Sequence, residues 1–173
     1  VIFSNENRKD SMKYFIHLKD SLIIFPNGLS CSYPLKKIGC CAVTHFSYLN
    51  ELNSLDLLIC ADGLKYLSSK YLISQAEKYR IQEIGSETGL NKELVISCGV
   101  DAFFINITGS PYDPNSALDM LKVPYIVTYE WGESSLLNKA KWIELIGIFI
   151  GKENEAEKIY QMIHNQYMEY KNI

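Results

Sequence analysis

Three things are missing from this sequence: an excess of charge of one sign, an apolar run long enough to span a bilayer, and any metal- or phosphate-type spacing. Seventeen Lys and Arg against twenty Asp and Glu leave a formal charge of −3, and the basic residues are scattered. A nucleic-acid partner requires a basic stripe facing the phosphates, and an anionic membrane surface requires a basic cluster. Neither is present. No apolar run reaches the ~20 residues that cross a bilayer. The longest, at 143–150, is interrupted by Gly147 and reads as a buried helix. No signal peptide is visible, and the chain opens on Val1, so that absence carries no information about compartment.

The five cysteines, Cys31, Cys40, Cys41, Cys60 and Cys98, are odd in number and lack C-x-x-C spacing. That argues against a structural zinc site and against a disulfide framework, and leaves buried thiols acting as small hydrophobes. His17, His45 and His164 are far apart and show no ligand spacing. There is no G-x-G-x-x-G, no P-loop and no nucleophile turn around a Ser or Cys. Neither an enzyme, a resident metal nor a cofactor is expected. His45 remains conceivable as a general base or an iron or haem ligand, against a plainer role lining a cleft or bonding its own backbone.

What is present is a chain of 173 residues, 47% hydrophobic, enough for one domain with a real core. "KYFIHL" and "SLIIF" flank Lys19-Asp20 and predict a β-hairpin, and "PNGLSCSYP" (26–34) reads as loop. From Ile38 a rhythm sets in. The runs "IGCCAV" (38–43), "LDLLICA" (55–61), "DAFFINI" (101–107) and "VPYIVT" (123–128) are short and continuously apolar, as in strands buried on both faces. Helical patterns lie between them at roughly 45–53, 68–80, 91–98 and 115–121. The alternation predicts an α/β fold with a parallel, Rossmann-like sheet and right-handed crossovers. Residues 135–150 then read as a buried helix ended by Gly151. The last helix sets Ala156, Ile159, Tyr160, Ile163, Tyr167 and Tyr170 on one face, a stripe that wants a surface to pack on.

In an open parallel sheet, ligands bind beyond the carboxyl ends of the strands. The residues there are Thr44, His45 and Ser47; Asp62, Gly63 and Tyr66; Thr108, Gly109, Ser110 and Tyr112; and Tyr129, Glu130 and Trp131. This crest is rich in aromatics and hydroxyls and poor in catalytic pairs. Tyr66, Tyr112, Tyr129 and Trp131 could stack on a planar ligand or simply cover the end of the sheet.

"YPLKKIGCCAVTHFSYLNELNSLDLLICADG" resembles the opening of the substrate-binding proteins of iron–siderophore, haem and cobalamin ABC importers, with Lys36-Lys37, Thr44-His45, Leu52-Asn53 and Ile59–Gly63 in the matching places. "IGSETGLNKELVISCGVDAFFI" looks like a second stretch of that family through Gly85, Asn91, Glu93, Ile96 and Asp101, and "LKVPYIV" like a strand entry. The most specific match is "YEWGESSLLNKAKWIELIGIFIGKENEAEKIYQMIHNQY", and the resemblance covers about 34–170. Leu136, Val100, Lys139 and Lys141 depart from the family's two Pro, its Arg and its Glu. Lys cannot reproduce the two-pronged contact of a guanidinium.

The resemblance implies one amino-terminal lobe of a two-lobed protein: a β-hairpin and loop over 1–33, an α/β ligand-binding lobe over 34–151, and the start of a long interlobe helix over 152–173, the second lobe lying outside these residues. It implies non-covalent capture of a metal chelate or corrinoid on Thr44, His45, Tyr66, Gly109, Ser110, Glu130 and Trp131. It further implies delivery to a permease that Glu93 would help to dock, and a periplasmic or cell-surface location, with the membrane reached only through a possible lipid anchor. The alternative is a one-lobed interaction or scaffold module that dimerises through its cleft face.

Overall fold

The computed structural model describes residues 2–3, 14–17, 21–25, 28–86 and 89–171. The chain opens with a four-stranded antiparallel sheet, β1 (Ile2–Phe3), β2 (Tyr14–His17), β3 (Leu22–Ile24) and β4 (Ser30–Ser32), in that order. β2 and β3 form the expected hairpin, with Phe15 opposite Ile24, and its connecting residues 18–20 lie outside the described residues. The stretch 26–34 is not all loop, because β4 returns against β3 with Cys31 opposite Ile23. A turn closed by Gly28 N–H to the Phe25 carbonyl (3.0 Å), with Gly28 at φ +80°, brings it back. Ser-Cys-Ser hides this strand from a hydrophobicity reading, since only its centre faces the core.

The main sheet follows: β5 (Ile38–Cys40), α1 (Val43–Glu51), β6 (Leu58–Ala61), α2 (Lys70–Lys78), β7 (Gln82–Glu83), a small ladder of β8 (Gly85–Ser86) and β9 (Gly89–Leu90), α3 (Lys92–Cys98), β10 (Ala102–Asn106), α4 (Asn115–Leu121) and β11 (Tyr125–Thr128). The spatial order is β7-β6-β5-β10-β11, every neighbouring pair parallel. This is the doubly wound arrangement, with its switch point between β5 and β10. The edge strand β7 escapes a sequence reading because it has two residues, both polar. The expected strand 38–43 ends at Cys40, where α1 takes over, and Leu55–Leu57 form a 3-10 turn ahead of β6.

Strand alternation sorts the core onto the two faces of the sheet. Ile38, Cys40, Phe104 and Ile126 pack with α1 and the later helices, while Cys60, Phe103, Ile105 and Leu118 pack on the α3–α4 side. Each fully buried Phe contributes on the order of 2–3 kcal/mol. Phe103 lies flat over Gly39 on the neighbouring strand, and a Cβ at Gly39 would fall inside its ring. At the amino end, the Asp101 carboxylate accepts the Lys36 and Lys37 N–H groups (2.7 and 2.8 Å), fixing β5 against β10.

Two helices finish the chain, α5 (Leu136–Ile150) and α6 (Glu153–Lys171). α5 is apolar nearly all round and buries Trp142, Ile143, Leu145, Ile146, Phe149 and Ile150. Gly147 admits α6, since a Cβ there would stand 2.5 Å from that of Ala156. Lys152 Nζ donates to the Leu52 carbonyl (2.7 Å) and Tyr33 OH to Glu153 (2.6 Å), anchoring the base of α6. The first half of the helix packs along α5 through Ala156, Ile159 and Tyr160, and the helix stands clear toward its end, where Tyr170 is 76% exposed. No helix among the described residues is long and apolar enough to cross a membrane. All five cysteines are free, with Cys40 and Cys60 buried.

Candidate functional site

Because the five strands are parallel, the segments leaving β5, β6, β10 and β11 emerge at one end of the sheet. The first turn of α1 carries Thr44 and His45, β10 ends on Asn106, β11 ends on Thr128, and the 3-10 turn Glu130–Gly132 follows at once. A hydrogen-bonded network joins these segments. Thr44 Oγ1 donates to Glu130 Oε1 (2.5 Å), as does Asn106 Nδ2 (3.1 Å). Thr128 Oγ1 donates to Asn106 Oδ1 (2.7 Å). Its single proton is thereby committed, so at 2.6 Å from His45 Nε2 it must accept, which fixes the Nε2–H tautomer.

His45 also stands 3.6 Å from Glu130 Oε1, the distance of an ion pair. The geometry nevertheless favours neutral imidazole. Nδ1 is buried and makes no hydrogen bond, so a second N–H there would be poorly satisfied, with only the Phe104 carbonyl near the ring. Burial pulls the His45 pKa from 6.5 down to about 4; Glu130 and the Phe104 carbonyl oppose the shift without reversing it. Burial pushes the Glu130 carboxyl up, but His45 beside it and the hydrogen bonds from Thr44 and Asn106 bring it below its ordinary value. Glu130 Oε2 has no hydrogen-bond partner.

Above the network lies an open depression of about 390 Å³, lined by Cys41, Thr44, Asp62, Gly63, Tyr66 and Asn106 among others. Gly63, at φ +87°, turns the chain so that the Tyr66 ring sits close against it, and Tyr66 is 70% exposed. Glu83 at the end of β7 holds this turn by accepting the Gly63, Leu64 and Gly85 N–H groups (3.1, 2.7 and 2.8 Å). Across the rim, Asp113 accepts from the N–H groups of Thr108, Gly109 and Ser110 (2.8, 2.7 and 3.1 Å). Slight burial pushes its carboxyl up, but those bonds and the Thr108 hydroxyl outweigh it and hold the carboxyl low. Trp131 stacks edge-on against Tyr129 at 4.8 Å.

The expected ligand residues therefore divide. Thr44 and Tyr66 border the depression, Gly109 and Ser110 sit exposed on the Asp113-held loop, and Trp131 is 44% exposed. His45 and Glu130, expected on the crest, lie beneath it at 0% and 2% exposure, each tied into the network through one atom, His45 Nε2 and Glu130 Oε1. Glu93 is exposed in the first turn of α3, its N–H capped by Asn91 Oδ1 (3.1 Å). The sequence reading missed Asn106, Thr128, Glu83 and Asp113. Asn106 and Thr128 were detectable as polar residues closing otherwise apolar strands.

The architecture is thus a doubly wound α/β unit whose rim, at the carboxyl ends of the strands, is open to a ligand. Solved structures with this fold include a periplasmic haem-binding protein from Pseudomonas aeruginosa (15% identity, TM-score 0.62, covering 80% of this chain and 46% of that one). The siderophore-binding protein BauB, bound to two molecules of acinetobactin and ferric iron, aligns over 98% of this chain and 52% of its own (14% identity, TM-score 0.65). The petrobactin-binding protein YclQ from Bacillus subtilis aligns over 91% and 47% (16% identity, TM-score 0.60). The chain spans about half the length of each, and at these identities the likeness is one of fold. No protein-family model and no curated protein matches the chain.

Proposed function

We propose that this chain is the amino-terminal lobe of the substrate-binding component of an ABC importer, working outside the cytoplasm, periplasmic or lipid-anchored at the cell surface. It captures an iron–siderophore, haem or cobalamin and hands it to the permease, without covalent chemistry. The observation that carries this reading is the rim: strand ends gathered at one end, an open depression with Tyr66 standing over it, and a fold shared with about half of several such binding proteins. Glu93, exposed on the first turn of α3, is suited to orient docking against permease cations; one exposed pair sets direction more than affinity. α6, bare beyond its first turns, suits a connecting rod to a second lobe.

The test is to titrate the 173-residue chain with hemin, cyanocobalamin and a ferric trihydroxamate while following its thermal unfolding. A ligand at about 100 times its Kd adds roughly 2.7 kcal/mol, or about 5–10 °C in Tm for a domain of this size. A rise with one of the three is expected. No rise with any of them, together with a sedimenting dimer that loses Tyr66 exposure, would replace capture by the scaffold reading.

A further inference from the structure

The side chains lining the depression over β5, β6 and β10 carry a single charge. Thr44 spends its only proton on Glu130, so toward the depression its oxygen offers lone pairs alone. Asp62 is the only charged side chain lining the depression, and no described donor hydrogen-bonds its half-buried carboxylate. Gly63 and Leu64, whose N–H groups could have served it, give them to Glu83. Burial and the nearby Glu83 both raise the Asp62 pKa, against a smaller lowering by Lys65, as expected of an anion short of a cation. The Tyr66 ring forms the adjoining wall and already attracts an ammonium, Lys65 Nζ lying 5.1 Å from its centroid. The opening turn of α1 carries roughly half a positive charge. Three carboxylates, Asp62, Glu83 and Glu130, outweigh that half charge and the Lys65 ammonium, so the local field is negative.

We propose that this depression is a seat for an organic cation, a primary or quaternary ammonium carried by the cargo, held between the Asp62 carboxylate, the Thr44 oxygen and the Tyr66 ring. The inference rests on the capture reading above and narrows its cargo to chelates with a pendant ammonium. A metal ion is disfavoured, since no group of three or more His, Cys, Asp or Glu side chains is placed to ligate one among the described residues.

Two probes separate this seat from capture in general. The first is ferrioxamine B, a ferric chelate with one pendant ammonium, compared with its N-acetylated neutral form. One partly exposed ion pair and one cation–π contact together predict about tenfold tighter binding of the cation at low salt, shrinking as salt rises. Asp62→Asn abolishes the preference while the chain stays folded, because no described donor bonds the carboxylate and the substitution relieves repulsion with Glu83. Equal binding of both forms overturns the seat and leaves capture standing. The second probe is tetramethylammonium, which needs no cargo: it is expected to shift the Gly63 and Tyr66 amide resonances of the native chain and not those of Asp62→Asn. Should neither chelate bind, that shift alone supports the seat, and its absence overturns it. A shift that persists in Asp62→Asn overturns it as well.

Discussion

Replacing His45 by Gln tests the charge state of the buried network. A Gln amide can present an N–H near the position of His45 Nε2 and so keep the bond to Thr128, while removing the titration. The imidazole pKa falls from 6.5 to about 4 on folding, through burial first. The unfolded chain then binds more protons than the folded one between those values. Stability is therefore full above pH 6.5 and is lost as pH falls toward 4. Integrating that difference gives a loss of about 1.4 kcal/mol at pH 5.5 and about 2 kcal/mol at pH 5. With a urea m-value on the order of 2 kcal/mol/M, the midpoint moves by about 1 M. Glu130, whose folded pKa is depressed, adds its own loss only below the ordinary carboxylate range. The assay is urea unfolding of the native chain and of His45→Gln between pH 7.5 and 5, read as the difference between them, so that other groups cancel. The native chain should lose ground to the variant as pH falls. If the native chain gains on acidification, His45 is an imidazolium paired with Glu130 across 3.6 Å; if the difference is flat, folding leaves its pKa unshifted; either result refutes a burial-lowered imidazole.

Two other substitutions probe the scaffold and the rim separately. Gly39→Ala drives a methyl into the ring of Phe103, which is fully buried and has nowhere to move, so a loss of about 3 kcal/mol is expected in denaturant unfolding; a loss under 1 kcal/mol would mean that β5 and β10 can part. Asp113→Ala frees the N–H groups of Thr108, Gly109 and Ser110, so their amide exchange should accelerate while global stability stays level; unchanged protection would show the loop is held by something else.

Much of the fold was readable because its signals are local. Continuous apolar runs at 38–43, 101–107 and 123–128 contain β5, β10 and β11, the first overrunning its strand by three residues, and helical spacing found α2, α3 and α4 within about two residues. β4 and β7 were not readable, because a short strand with one inward residue, or none, has no period to detect; its place is dictated by a neighbouring strand. The site divides along the same line. Thr44, Tyr66 and Gly109 follow from the rule that ligands gather beyond strand ends. Which residues face outward depends on contacts distant in sequence, such as Thr44 to Glu130 and His45 to Thr128, eighty-six and eighty-three positions apart.

That division changes what His45 and Glu130 are for. Each looked like a group a cargo might touch, and each is instead spent on holding Thr44, Asn106 and Thr128 in one orientation. A buried carboxylate is costly unless donors converge on it, and here the donors come from two separate segments, the first turn of α1 and the end of β10. The same bonds leave Thr44 with only lone pairs to offer the rim. The polarity of the open depression is thus set from below, by the buried His45 and Glu130. A substitution at Glu130 should therefore alter which charge the rim accepts before it alters how much surface the rim presents.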